Sequence, residues 1–93
     1  MMTDDELRAA IRDDFVAELA DLTGTTPETL PTSVEKPIAA RFLKLKNPRT
    51  FDVWAQHGRH GIAMFRAGHS TQPLTRWLLD HKMRAVRIAK EAA

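Results

Sequence analysis

The sequence contains no cysteine, no tyrosine and no apolar run long enough to cross a lipid bilayer. The absence of cysteine excludes disulfide bonds, thiol catalysis and thiolate zinc sites, and it fits a reducing compartment. The N-terminal segment MMTDDELRAA is acidic and lacks the apolar core of a signal peptide. A chain of 93 residues supports one small core. We therefore expect a cytoplasmic protein that makes no membrane contact.

The residue patterns of enzymes and metal sites are also missing. There is no glycine-rich phosphate loop, and Ser33 and Ser70 lack the surroundings of a nucleophile. His57, His60 and His69 are close in sequence, but glycines interrupt any helix that would align them, and no thiolate or neighbouring acid completes a site. The sequence therefore predicts no enzyme, no metal and no cofactor. Phosphate contact or plain exposure explains these histidines better.

Negative charge is concentrated in the first third of the chain. Residues 1–35 carry nine Asp or Glu and two Arg, a net charge of −7, whereas residues 36–93 carry twelve Lys or Arg and three acids, a net charge of +9. The two values together give the net charge of +2. The basic part is suited to a polyanion partner. The alternative is that the acidic segment lies against the basic one within the molecule.

Residues 3–22 predict an acidic amphipathic helix. Thr3 and Glu6 have capping-box spacing, and Gly24 suits the C-terminal cap. The apolar residues at helical spacing are Leu7, Ile11, Phe15, Leu19 and Leu22. This stripe either joins the core of the protein or binds a partner protein or a second copy. In the second case the partner-binding residues are Leu7, Ile11, Phe15 and Leu19.

Prolines divide the rest of the chain into segments. We predict the acidic helix in residues 1–24, a linker in 25–36 with a helical turn after Thr26, and a basic domain in 37–93. A second helix begins near Pro37 and stops at Asn47-Pro48, because the residue before a proline avoids the helical conformation. A third, short helix begins near Arg49 or Thr50, with Asn47 or Thr50 as its cap.

Helical spacing divides the side chains of the third helix between two faces. The predicted inward residues are Phe51, Trp54 and Ala55, and the outward ones are Arg49, Asp52, Val53, Gln56 and His57. Gly58 and Gly61 mark its end. Residues 62–66 are compatible with a short strand or a helical turn.

A final helix is predicted to begin near Pro73, capped by Ser70 or Thr71, and to run nearly to the end of the chain. Its inward candidates are Leu74, Trp77, Leu78, His81, Ala85 and Ile88, and its basic face holds Arg76, Lys82, Arg84, Arg87 and Lys90. The predicted fold class is mainly α: a small helical domain with a helix-turn-helix and a short β wing.

The order of four segments resembles the winged helix-turn-helix proteins of the excisionase and mercury-resistance-regulator (MerR-type) group. These segments are Ala39-Ala40-Arg41-Phe42-Leu43, Pro48-Arg49-Thr50-Phe51 through Trp54, Gly58-Arg59, and Leu74-Thr75-Arg76-Trp77-Leu78. The resemblance spans about residues 37–80. The chain departs from the group in its longer turn with Pro48, in the weak second wing strand at His69-Ser70-Thr71-Gln72, and in the acidic helix.

The resemblance implies a third helix that enters the major groove of DNA. Its outward side chains suit this task, because Arg49 can reach guanine or phosphate, Gln56 can bridge adenine, and Val53 can touch a thymine methyl group. Basic residues nearby would contact phosphates. The predicted DNA-binding residues are Lys44, Lys46, Arg49, Thr50, Asp52, Val53, Gln56, His57, Arg59 and Arg66.

The sequence thus favours a protein that binds double-stranded DNA, as an excisionase-like factor or a transcriptional regulator of a phage or mobile element. We expect a dimer formed through the first or last helix, and a protein partner for the acidic helix. The rival interpretation is a helical protein-interaction module, an inhibitor or adaptor that acts on a protein.

Overall fold

The protein was analysed as a computed structural model, which describes residues 2–87. Four helices and one hairpin follow each other along the chain. They are α1 (Asp4–Thr23), α2 (Lys36–Leu43), α3 (Thr50–Gln56), β1 (Met64–Ala67), β2 (Ser70–Pro73) and α4 (Thr75–Arg84), with single 3-10 turns at Pro27–Thr29 and Arg59–Gly61. The fold is therefore mainly α with a short β hairpin, as predicted. None of the described helices combines the length and the apolarity needed to cross a membrane.

Helix α1 begins and ends where its caps predict. The Thr3 hydroxyl accepts a hydrogen bond from the Glu6 N–H at 3.1 Å, and Gly24 takes a left-handed conformation with φ of +69°. The N–H groups of Gly24 and Thr25 donate to the carbonyls of Asp21 and Ala20. This Schellman arrangement satisfies the last carbonyls of the helix.

Helix α2 ends earlier than predicted. The helix stops at Leu43, and Lys44 takes the left-handed conformation with φ of +59°, so Asn47-Pro48 is not the stop. The Leu45 N–H donates to the Ala40 carbonyl at 2.8 Å, which is the same Schellman closure that ends α1. It places the Leu45 side chain against the core. The turn to α3 therefore runs from Lys44 to Arg49.

Helix α3 packs through two aromatic residues. Its N-cap position is occupied by Arg49, which makes no side-chain cap hydrogen bond, so neither Asn47 nor Thr50 is the cap as predicted. The Asn47 side chain instead accepts a hydrogen bond from the Arg49 N–H at 2.9 Å in the turn before the helix. Phe51 is fully buried and Trp54 is half-buried. Ala55 is exposed, contrary to the prediction, because it lies about 100° around the helix from Trp54, on the flank of the inward face.

Residues 62–66 lead into the first strand of an antiparallel hairpin. Met64 pairs with Pro73 and Ala67 with Ser70, and Gly68 turns the chain at a φ of +63°. Ser70 and Thr71 therefore belong to β2 and do not cap α4. The last helix begins instead at Thr75 and ends at Arg84, so it does not extend toward the end of the chain as predicted.

Two corrections concern the face of α4 toward the core. Leu79 is buried although it was not among the predicted inward residues, whereas Ala85 follows the helix and is exposed. Ile88 and Lys90, which were predicted to be inward and basic respectively, lie outside the described residues.

One core joins α1, the linker and the basic part. Its buried residues are Leu19, Val34, Ala39, Ala40, Phe42, Phe51, Trp77, Leu78 and Leu79. The segment before α2 is tied to the hairpin end, since Val34 N–H donates to the Pro73 carbonyl and Thr75 N–H to the Thr32 carbonyl. The Thr75 hydroxyl also donates to the Pro31 carbonyl. The division into three sequence segments stays a prediction, although their packing is shared.

Lys82 points into this core and not to the basic surface predicted for α4. Its ammonium group donates to the Glu18 carboxylate at 3.1 Å and to the Phe42 carbonyl at 2.7 Å. It also lies 4.0 Å from the centre of the Phe42 ring and 4.9 Å from that of Phe15. A cation can be covered this far because an acid, a carbonyl and two ring faces replace its water.

Candidate nucleic-acid interface

The outward face of α3 carries polar and apolar side chains on a narrow arc. At about 100° per residue, Arg49, Val53 and Gln56 lie within roughly 60° of one another, and Asp52 lies at the edge of the same arc. All four residues are exposed, as is His57 after the helix. Val53 has 46% of its surface exposed. Thr50 differs from them because it is half-buried.

The inward face of α3 is fixed by a set of aromatic contacts. The Phe51 ring packs edge-on against Trp54 and Trp77, with centroid distances of 5.9 and 6.3 Å. A helix of seven residues has little stability of its own, so this packing holds its outward face in place.

Asp52 is exposed but has a partner within the chain. Its carboxylate lies 2.7 Å from the ammonium group of Lys36, at the first residue of α2. The pair links the start of α2 to α3. Lys36 is therefore a residue of this surface that the sequence interpretation missed, and its position depends on a contact across 16 residues that no local pattern reveals.

The other predicted DNA-binding residues flank α3. Lys44 and Lys46 lie in the turn before it, Arg59 in the 3-10 turn after it, and Arg66 on β1. All four are exposed. None of them takes part in an ion pair among residues 2–87, where the acidic partners are Glu18, Asp52 and Asp80. Their charges are available to an external anion.

Beside α3, the 3-10 turn and α4 bring four rings together. The His60 ring centre lies 4.5 Å from Trp54 and 5.2 Å from His81, and His81 stacks on Trp77 at 4.8 Å with an interplanar angle of 17°. Trp77 Nε1 and the Arg84 guanidinium both donate to the His60 carbonyl, at 3.0 and 3.4 Å. We call His60, His81 and Arg84 the histidine cluster.

Burial lowers the pKa of His81 below its usual value, and the nearby charges of His60 and Arg84 lower it further. His81 lies in the last turn of α4, where the helix carbonyls favour a cation. Desolvation and repulsion outweigh that effect. His81 had been predicted as an inward residue, and it is half-buried.

A metal ion has little to bind in this cluster. Among residues 2–87, no three His, Asp, Glu or Cys side chains come together. Arg84 adds a positive charge where a metal ion would need a third ligand.

Two shallow depressions of about 240 and 230 Å³ lie elsewhere, between the start of α2 and β2, and share Glu35 and Gln72. The absence of enzymatic activity stays a prediction.

The predicted partner-binding stripe of α1 divides into two halves. Leu19 is fully buried in the protein's own core and Phe15 packs against it, so Leu19 is not available to a partner. Leu7 and Ile11 are half-buried and do not belong to that core. Most acids of α1 have no ion-pair partner in the described part of the chain, since only Glu18 pairs with a basic residue. The acidic segment therefore lies against the basic part of the chain through only a few ion pairs among the described residues.

Comparisons with protein-family models, with curated proteins and with solved structures find no match to this chain.

Proposed function

We propose that this protein binds double-stranded DNA and presents α3 to the major groove. The observation that carries the proposal is the exposed arc of Arg49, Val53 and Gln56 on a short helix whose opposite side is anchored by aromatic packing. A guanidinium, a branched apolar side chain and an amide on one face suit the donors, acceptors and methyl groups of base edges. A wing-like hairpin follows α3 in the chain.

The charge distribution supports the same proposal. Lys44 and Lys46 precede α3, and Arg59 and Arg66 follow it, all exposed and without ion-pair partners in residues 2–87. Four exposed cations on the segments before and after this helix would supply the phosphate contacts that give most sequence-independent affinity. We propose an excisionase-like or transcription-regulating role as the specific form. Dimerisation through the first or last helix stays a prediction.

Selection of duplexes from a random-sequence pool, followed by affinity measurements at several salt concentrations, tests this proposal. Arg49→Ala should weaken binding to the selected duplex about tenfold, and Gln56→Ala should relax the preference at one or two base pairs. Arg8→Ala removes the same charge from α1 and is the matched control, with a change below about twofold. The proposal is wrong if the protein binds no duplex at low salt.

One observation favours a second candidate, a protein-interaction module. Val53 and Phe65, on α3 and β1, are large apolar side chains with 46% and 47% of their surface exposed. Apolar side chains of this exposure also occur in protein interfaces. Val53→Asp would abolish binding to a protein partner and would also weaken DNA binding through added negative charge. The duplex selection therefore separates the two functions, because a protein-interaction module would select no duplex at low salt.

A further inference from the structure

We propose that the histidine cluster is a phosphate contact of the DNA interface, which engages the DNA backbone as the His81 imidazole takes up a proton. This inference rests on the proposed DNA-binding function. It adds His60, His81 and Arg84 to the interface, none of which belongs to the face of α3 that would read base edges.

The first argument is the position of the cluster. The Trp54 ring of α3 lies 4.5 Å from His60 and 5.5 Å from His81, so the cluster adjoins the proposed recognition helix directly. Arg59, one of the predicted phosphate-binding residues, precedes His60 in the same 3-10 turn. A DNA backbone that passes the end of α3 would come within reach of these groups.

The second argument is the charge of the groups that face His81. The 3-10 turn contributes His60, α4 contributes Arg84, and α3 contributes the uncharged Trp54. Asp80, the adjacent acid on α4, pairs at 3.0 Å with Arg12 of α1. Protonated imidazoles here would thus lie beside a guanidinium without a carboxylate, which is an arrangement that an external anion stabilises.

The third argument is that the protein holds His60 in an unfavourable backbone conformation. Its φ of +58° is uncommon for a residue with a side chain. The hydrogen bonds from Trp77 and Arg84 to its carbonyl keep the turn in this shape. The imidazole is consequently exposed on a fixed turn, ready to contact a ligand.

Proton uptake and phosphate binding are coupled by linkage. Burial, and then repulsion from His60 and Arg84, favours the neutral form of His81 in the free protein. A phosphate diester between these groups offsets the repulsion and favours the protonated form, with the proton taken from solvent. Binding of DNA should therefore tighten as the pH falls through the histidine range.

The test is the dissociation constant of a selected duplex at pH 7.5 and pH 5.8 and constant ionic strength, measured by fluorescence anisotropy. The wild-type protein should bind about fivefold more tightly at the lower pH, within the tenfold that one pKa unit of coupling allows. In His60→Gln and His81→Gln the ratio of the two constants should fall well below the wild-type value; His57, the other histidine of the proposed interface, is kept in both variants and accounts for the remainder. His69→Gln, which removes an exposed histidine from the hairpin turn, is the matched control and should keep the wild-type ratio.

A second measurement does not depend on variants that fold. In the wild-type protein, the imidazole pKa of His81, followed by NMR, should rise when duplex is added. If DNA binds but its pH response is unchanged by both substitutions and the His81 pKa does not move, this inference is wrong and the proposed function stands. If no duplex binds at either pH, both are wrong.

Discussion

His81 and Lys82 are neighbours on α4, yet the protein treats the two cationic side chains in opposite ways. Lys82 is enclosed by the Glu18 carboxylate, the Phe42 carbonyl and two aromatic rings. His81 lies among rings and beside Arg84, with no acid to compensate a positive charge. The charge of Lys82 is compensated inside the protein, so this residue contributes to the stability of the fold. His81 is held towards its neutral form, and a proton that it takes up there has no carboxylate to compensate it.

The difference follows from which elements face each side chain. Lys82 meets α1, the acidic helix, and the C-terminal part of α2, whose carbonyl at Phe42 is an acceptor. His81 meets the 3-10 turn and α3, which contribute rings and a second imidazole. A rotation of about 100° along one helix therefore separates a compensated ammonium group from an imidazole whose protonated form has no acid partner.

The largest effect should come from the ring beneath Lys82. Phe42→Ala removes a fully buried side chain and one of the two ring faces that cover the ammonium group. We expect the free energy of unfolding to fall by about 3–5 kcal/mol, because a cavity and lost burial add together. Urea denaturation measures the change. Val53→Ala, on the exposed face of α3, is the control and should change stability by less than about 0.5 kcal/mol.

Lys82→Ala should have the next largest effect. The Lys82 side chain is 16% exposed and its Glu18 partner 42%, so the pair is only partly shielded from water. We expect a loss of about 2 kcal/mol, below the range for a fully buried pair. Arg12→Ala breaks the pair with Asp80, whose side chains are 41% and 52% exposed, and should cost below about 1 kcal/mol. Equal losses in the two variants would contradict the structural role of Lys82.

The lowered pKa of His81 predicts that the stability of the protein depends on pH. Because its pKa is lowered in the folded protein, the unfolded chain binds a proton more readily. The contribution of His81 to stability is therefore present above the usual histidine pKa, and it is lost as the pH falls through the lowered value. Thermal unfolding at pH 7.5 and 5.5 should show a smaller drop in Tm for His81→Gln than for the wild type. An identical drop would show that His81 is not responsible.

The smallest effect concerns the ion pair at the edge of α3. Asp52→Asn should change stability by less than about 1 kcal/mol, because the Asp52 side chain is 51% exposed. It should release Lys36 and remove a negative charge, so affinity for all duplexes should rise a few-fold at low salt. If Asp52 instead accepts a hydrogen bond from the amino group of a cytosine, the substitution should alter the preferred sequence. Selection from a random pool distinguishes the two outcomes.

Local sequence signals are sufficient to predict helix α1 and the inward aromatic residues of α3. Thr3 and Gly24 are residue types whose capping roles are specific, and the structure uses both. The end of α2 was not predictable in this way. Lys44 takes the same left-handed position as Gly24, but lysine is not a signal for it, because the closure depends on Leu45 reaching the core.

The other wrong or missed predictions concern residues whose positions depend on contacts between distant parts of the chain. Ser70 and Thr71 suit both a helix cap and a strand, and only their pairing with β1 selects the strand. Lys82 belongs to a basic face by composition, yet its acid partner is 64 residues away. The histidine cluster was missed for the same reason, because His60 and His81 meet only when the 3-10 turn packs against α4.

The hydrogen bonds between residues 31–34 and the start of α4 determine how far the chain can be shortened. Residues 31–34 supply the acceptors for both Thr75 hydrogen bonds, form a bridge to Leu74 through Ser33, and bury Val34. A fragment that begins at Pro37 would lose these partners together with Leu19. Polar groups of Thr75 would then stay unpaired next to an opened core, which is strongly unfavourable. We expect that the segment from α2 to α4 cannot be transplanted without residues 31–34, although these four residues contribute nothing to the proposed DNA contact.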